Sequence, residues 1–291
     1  MSGADRRQEF IDYVRKTQIP EAKAAVLQIQ YDTIRREMQR IGTWRPDARF
    51  LDVGCGLGLY AEFWHSRGFQ VAGIDLDANL IAHARGRAEA RNFSIQYETG
   101  TADHLPFKGH SFDIVFANSL LEHVLDWEGC IAEWIRVLAP DGLLWIETTN
   151  VLCPRQGEFR WLPLYSWWPR FMKRIVVDLA CGPFPALANY SPCPAVHWFS
   201  FFQLRTFLEA RGLCVRDRFD CLDLTRVGLA KRCVRGLAVS NDVARWFAYL
   251  LVSPLVVLAT RESNRPMARA DQEDLRPASP SRATGSSASS P

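Results

Sequence analysis

The chain has 291 residues, 48% of them hydrophobic, and a formal charge of +3, which suffices to bury a full core but leaves too little positive excess for a nucleic-acid surface. No run of Lys or Arg supplies such a surface, so nucleic acid is set aside as a partner. Eight cysteines without a C-x-x-C pair argue against a zinc site or a disulfide framework and for reduced thiols, and the N-terminus has no apolar signal segment. The expectation is a cytoplasmic protein of one domain with insertions.

The first element is a helix over about residues 22–41, with Ala25, Leu27, Ile29, Ile34, Met38 and Ile41 as a partial apolar stripe and Gly42 as its stop. Pro46 leads into a strand and then the stretch F-L-D-V-G-C-G-L-G-L-Y, Phe50 to Tyr60. Its apolar start reads as a buried strand, and Gly54, Gly56 and Gly58 let the backbone turn tightly into the next helix, whose free N–H groups face a ligand. The spacing is G-x-G-x-G rather than the dinucleotide G-x-G-x-x-G, and Asp52 lies two places before the first glycine. That carboxylate would repel a pyrophosphate but attract an ammonium or a sulfonium-bearing amino acid. The D-V-G-C-G-L-G segment resembles the first motif of the class I S-adenosylmethionine-dependent methyltransferases. The resemblance implies an α/β fold, a doubly wound, seven-stranded, mostly parallel sheet with S-adenosylmethionine across its carboxyl edge.

Leu59 to Arg67 reads as the crossover helix. The next strand, Q-V-A-G-I-D-L-D, ends at Asp75, placed to accept hydrogen bonds from two ribose hydroxyls, while Ile74 and Leu76 offer apolar surface to adenine. Asp77 is the expected cap of a helix over Asn79 to Ala90. After a third strand, F-S-I-Q-Y-E-T, the segment G-T-A-D-H-L-P-F resembles the family's G-D-A-E-x-L-P-F. Thr101 and Asp103 stand at its acidic places, and the backbone of Thr101 and Ala102 is available to the adenine amino group. Strand four, S-F-D-I-V-F-A-N, carries Asn118 to the same edge; a helix through Leu138, a Pro140-Asp141-Gly142 turn and strand five, L-L-W-I-E-T-T, follow. The cofactor-binding set implied by the resemblance is Asp52, Gly54, Cys55, Gly56, Gly58, Asp75, Leu76, Thr101, Ala102 and Asn118.

In quinone-type O-methyltransferases of this family an E-x-x-E-H segment supplies metal ligands; this chain has Ser119 at the first acidic place before Glu122 and His123, so no metal is expected. His123 reads as a general base, a packing residue or a hydrogen-bonder at a helix terminus. Residues 151–196, with W-L-P-L-Y-S-W-W-P-R-F at their centre, are too long for a plain connection and read as an aromatic lid bearing Trp161, Trp167, Trp168 and Phe171. His197, where the lid returns, is the second candidate catalytic residue; a hydrogen bond to loop backbone is its alternative. Ser200 caps a helix with Leu204, Phe207 and Leu208 on its buried face, and strand six runs from about Cys214 to Phe219.

A second insertion, residues 221–253, sets Arg226, Lys231, Arg232 and Arg235 beside apolar positions, and Leu255 to Thr260 resembles the family's antiparallel seventh strand. Trp246 to Val252 belongs to the preceding helix, or to a shallow membrane-surface anchor. Residues 1–45 form an N-terminal helical segment, 46–261 the methyltransferase domain, and 262–291 a disordered tail. The expected activity is S-adenosylmethionine-dependent methylation, with oxygen the first choice, of a small apolar or amphipathic acceptor of lipid, quinone or glycoside type. The alternatives are a non-catalytic cofactor-binding relative and an NAD-dependent oxidoreductase. The oligomeric state is left open.

Overall fold

Seven strands join in the order β3-β2-β1-β4-β5-β7-β6: β1 (Arg49–Val53), β2 (Gln70–Asp75), β3 (Gln96–Thr99), β4 (Phe112–Asn118), β5 (Leu138–Thr148), β6 (Leu213–Asp217) and β7 (Leu255–Arg261). β1 to β5 pair in parallel, whereas β7 runs antiparallel between β5 and β6. The computed structural model describes residues 8–14, 20–155, 159, 161–191 and 193–261; the expected tail at 262–291 lies outside them. The helices are α1 (residues 8–14), α2 (Pro20–Arg40), α3 (Leu59–His65), α4 (Ala78–Ala90), α5 (Trp127–Val137), α6 (Arg170–Cys181), α7 (Phe201–Glu209), α8 (Leu229–Ser240) and α9 (Asp242–Tyr249).

The central strands are nearly continuous apolar runs because both faces of the sheet are covered. Alternation sends Leu51, Val53, Val115, Ala117, Leu144 and Ile146 into one core, with Trp134 of α5 and Leu204 of α7. Phe50, Ile114, Phe116, Leu143 and Trp145 enter the other, against Ile34 and Met38 of α2 and Trp64 of α3. Phe50 stacks on Trp64 with ring centroids 4.5 Å apart. Tyr31 packs among Trp44, Phe63, Trp64 and Phe69. The caps fall where expected: Asp77 accepts from the Asn79 N–H, and Ser200 from the Gln203 N–H.

Three boundaries shift for local reasons. β5 begins at Leu138 opposite Phe112, and the expected Pro140-Asp141-Gly142 turn becomes a register shift in the ladder before Ile114 pairs with Leu143. β6 stops at Asp217 because its Oδ1 accepts the N–H groups of Phe219 and Asp220, closing a turn. β3 is confined to Gln96–Thr99, the residues that pair with β2.

The lid over 151–196 contains 3-10 turns at Tyr165–Trp167 and Pro185–Ala188 around α6. Phe159, Tyr165, Ala180, Ala188 and Ala195 make a small core of their own, which Trp168 joins, while Trp161, Trp167 and Phe171 stay exposed. The second insertion is held by a buried polar knot. Arg245 of α9 makes a two-pronged contact to Asp220 at 3.0 Å on each prong and reaches Asp217 at 3.1 Å, and Asp217 also accepts from the Tyr249 hydroxyl at 2.8 Å. Burial first, then the neighbouring Asp220, pushes the Asp217 carboxyl up to about 6. Arg245→Met should therefore lower stability by about 3–5 kcal/mol, because two carboxylates would stay buried without their cation. Chemical denaturation checks this, and Asn241, the cap of α9, substituted by Ala should lose only about 1 kcal/mol.

Candidate functional site

The loop between β1 and α3 is shaped by three glycines in the left-handed region, Gly54 (φ 73°), Gly56 (φ 53°) and Gly58 (φ 79°). Gly58 also permits close packing, since a Cβ there would run into the Tyr97 hydroxyl, whereas a Cβ at Gly56 would meet nothing and would point into open space. The loop is tied to β2 by the Gly54 and Cys55 N–H groups donating to Ile74 O at 2.8 and 3.0 Å. The Asp75 carboxylate completes the tie: Oδ2 accepts from the Gly56 N–H and Oδ1 from the Asp77 N–H, each at 2.9 Å. Each oxygen keeps a further acceptor site for a ribose hydroxyl. Leu76 beside it is 63% exposed, an apolar side chain presented at a ligand edge.

Asp52 is only 2% exposed and lies beneath the loop, with Oδ2 buried and unpaired. Burial, then the charge of Asp75, pushes its carboxyl up to about 8 against the opposing hydrogen bond from the Ala61 N–H. Burial likewise raises the Cys55 thiol well above its ordinary value, so this cysteine is an inert wall of the loop. A positively charged amino group close to Asp52 would reverse its shift. Thr101 lies exposed just past β3, and the Ala102 carbonyl is taken by the Trp134 indole N–H at 3.0 Å. The open glycine arc, the orphaned Asp52 oxygen and the anchored Asp75 form one cradle suited to a sulfonium amino-acid nucleoside.

Asn118 belongs to a second polar group that the sequence did not single out. Gln30 of α2, 3% exposed on a face that also buries Leu27, Thr33, Ile34, Glu37 and Met38, donates from Nε2 to Asn118 Oδ1 at 3.2 Å and to Glu147 Oε2 at 3.0 Å. The amides of Gln30 and Asn118 also reach the Tyr60 hydroxyl, in the first turn after the glycine loop. Glu147 faces Asn118 across the β4–β5 ladder at the carboxyl ends of both strands. The available signals were an acid within the apolar run L-L-W-I-E and a glutamine within a helix stripe, both common on solvated surfaces.

His123 and His197 come near each other without joining this group. The Glu122 carbonyl accepts the N–H groups of Val196 and His197, the His123 Nδ1 meets Cys193 O at 2.7 Å, and the His197 Nε2 meets Leu125 O at 3.3 Å. Both rings thus fasten the returning lid to the segment after β4. The Glu122 side chain turns inward to accept from Thr148 Oγ1 at 2.7 Å, and among the described residues no three His, Cys, Asp or Glu converge on a possible metal position.

Residues 51–146 match the family described as "Methyltransferase domain". A ubiquinone biosynthesis O-methyltransferase of Bradyrhizobium sp. (strain ORS 278) is 36% identical over 123 residues, taking in 40% of this chain and 48% of that one. A protein of the same description from Bartonella bacilliformis is 35% identical over 40% of this chain and 50% of its own length, so the chain spans about half the length of the relatives it matches. A putative sarcosine dimethylglycine methyltransferase from Galdieria sulphuraria superposes with a TM-score of 0.52 at 16% identity, covering 84% of this chain and 86% of that one. Haemonchus contortus phosphoethanolamine N-methyltransferase 2 gives 0.51 at 18% identity, covering 87% and 60%. These two structures agree with the fold alone. The matched segment runs from β1 into β5 and includes the glycine loop, Asp75 and Asn118; over these residues the chain carries a methyltransferase domain similar to the S-adenosylmethionine-dependent methyltransferases, whose cofactor is S-adenosylmethionine.

The raised Asp52 pKa gives a test with a defined sign. The neutral acid contributes stability that is present below the ordinary carboxyl range and is lost as pH rises through about 8. Near pH 7 a carboxyl raised to about 8 keeps its proton, and an ammonium placed beside Asp52 expels it. Calorimetry in buffers of different ionisation enthalpy should show that S-adenosylmethionine binding releases roughly one proton more from the wild type than from Asp52→Asn. Equal proton release would remove Asp52 from the ligand's surroundings.

Proposed function

We propose that the protein transfers a methyl group from S-adenosylmethionine to a hydroxyl of a small amphipathic acceptor, with a quinol-like compound as the leading class. The observation that carries the first half is the cradle of Gly54, Gly56, Gly58 and Asp75. The acceptor class is supported by the resemblance to ubiquinone biosynthesis O-methyltransferases over the segment they share. It is further supported by the aromatic lid.

Asp75 holds the ribose through its two carboxylate oxygens, Leu76 lies against adenine, and the polar groups of Thr101 and Ala102 border the base. The bound sulfonium supplies an activated methyl group. The chain's own task is alignment: the glycine loop fixes the methyl donor end, and the edge formed by Asn118 and Glu147 limits where an acceptor oxygen can stand. His123 and His197 hold the lid in place through their carbonyl contacts. The remaining nitrogen of each ring is available to an acceptor hydroxyl.

Asp75→Ala should weaken S-adenosylmethionine binding by about 1–3 kcal/mol, the scale of charge-assisted hydrogen bonds to a ligand. Calorimetric titration, with the melting temperature of the unliganded variant as a folding control, makes the comparison. Unchanged affinity in a folded variant would rule out the ribose assignment.

An amphipathic acceptor resides at a lipid surface, and the insertions carry surfaces suited to one. On α6 the i, i+4 spacing puts Phe171, Ile175 and Leu179 on an outward stripe beside exposed Arg170 and Arg174, while Val176, Val177 and Ala180 face the lid core. On the second insertion Leu237, Val243, Phe247 and Leu251 are exposed, with Lys231 and Arg232 nearby in sequence. No described helix is long and apolar enough to cross a membrane, so the proposed contact is peripheral. Co-sedimentation should increase when anionic phosphatidylglycerol is added to phosphatidylcholine vesicles. Phe171→Asp combined with Ile175→Asp should abolish most of it, whereas equal recovery of variant and wild type would dismiss α6 as the contact.

A further inference from the structure

The edge of the sheet beside the glycine loop carries an acid, Glu147, whose surroundings differ from those of the arginine-paired acids Glu62 and Asp113. Glu62 is held by Arg87 through two hydrogen bonds at 2.8 and 2.9 Å and by Arg91 at 3.0 Å. Asp113 is held by Arg49 at 3.0 and 3.1 Å. Such pairing is the ordinary solution for a structural carboxylate removed from water. Glu147 instead accepts from the neutral amide of Gln30 at 3.0 Å. That amide is itself incompletely satisfied, because Gln30 Oε1 is buried without a partner. The group thus sits beside an unused acceptor atom, at the carboxyl edge where ligands bind in sheets of this topology.

We propose that Glu147 takes the proton from the acceptor's hydroxyl, with Gln30, Asn118 and Tyr60 fixing its position. This rests on the methyltransferase reading above and extends it to the chemistry of the acceptor. Tyr60 links the two halves of the site: it is two residues past Gly58, and its hydroxyl is reached by both amides that surround Glu147. The step balances. The acceptor oxygen gives its proton to the Glu147 carboxylate and forms the bond to the transferred methyl carbon, the electron pair of the breaking carbon–sulfur bond stays on sulfur, and the products are a methyl ether, a neutral thioether and a protonated Glu147.

The charged and titratable neighbours set the acid for this task. Burial raises the Glu147 carboxyl and Glu122 raises it further, while the Gln30 hydrogen bond, Arg218 and Lys23 pull it down. Lys23, from α2, has its own value lowered by burial, and its Nζ lies 5.8 Å from the centre of the Tyr60 ring. Tyr60 is raised by burial and by Glu147, so it stays a neutral donor. A carboxylate raised by burial is a stronger base than a solvated one, and becomes more effective toward a phenolic hydroxyl.

The test uses the full chain, S-adenosylhomocysteine, hexylcatechol as a hydroxylated probe and its dimethyl ether as the control without an O–H. Wild type loaded with S-adenosylhomocysteine should bind hexylcatechol at least about tenfold more tightly than the ether, the scale of one charge-assisted hydrogen bond. Its affinity should fall on acidification, as Glu147 gains its proton. Glu147→Gln, which still accepts from Gln30, should keep S-adenosylhomocysteine affinity within about twofold, the scatter of a surface change, and should flatten the pH dependence. Binding of S-adenosylhomocysteine without binding of hexylcatechol, equal affinity for the ether, or an unchanged pH profile in Glu147→Gln would each overturn the role of Glu147 while leaving the methyltransferase reading intact. Failure of the wild type to bind S-adenosylhomocysteine would remove both.

Discussion

The hydrogen bond from the Gly56 N–H to Asp75 Oδ2, at 2.9 Å, joins the first two strands at the point where the ligand is expected. It sets the curve of the glycine loop against the end of β2, so that one carboxylate shapes the loop and presents its remaining lone pairs outward. The chain can afford this arrangement because Gly54, Gly56 and Gly58 all adopt positive φ, which a side chain would resist by roughly 1–2 kcal/mol per position. Around it, the aromatic packing of Phe50, Trp64 and Phe116 stiffens the sheet beneath. Rigid support under a curved loop is what lets a small nucleoside be held with its reactive end in one direction.

Much of the fold was legible because its determinants are local. The glycines demand a turn, Asp75 ends an apolar run at the expected distance, Asp77 and Ser200 cap their helices, and the V-V-L-A-T-R segment becomes the antiparallel β7 between β5 and β6. The aromatic lid was legible as an insertion, though not in detail. Of the four aromatics named for the lid, only Trp168 packs into the small core around Tyr165 and Phe159, while Trp161, Trp167 and Phe171 stay exposed.

The proposed acceptor side was less legible for a physical reason. Gln30, Tyr60, Asn118 and Glu147 are separated by up to 117 positions and meet only because α2 crosses the end of the sheet beside α3. Tyr60 ends the glycine stretch and Asn118 was placed at the sheet edge, but Gln30 and Glu147 belong to no short motif and in isolation are ordinary helix and strand residues. The two histidines were conspicuous in sequence, yet their rings close onto Cys193 and Leu125 carbonyls and tie the lid down. The proposed site then divides its labour: one local stretch would form the cofactor cradle, and side chains drawn from four elements would form the opposite wall.

The central claim, a cradle for a sulfonium amino-acid nucleoside rather than a dinucleotide, is tested most directly by titrating the purified chain in parallel with S-adenosylmethionine, S-adenosylhomocysteine and NAD. Both sulfur nucleosides should bind with single-site saturation, and NAD should produce no binding heat in the same range. Saturable binding of NAD with no response to either sulfur nucleoside would contradict the account.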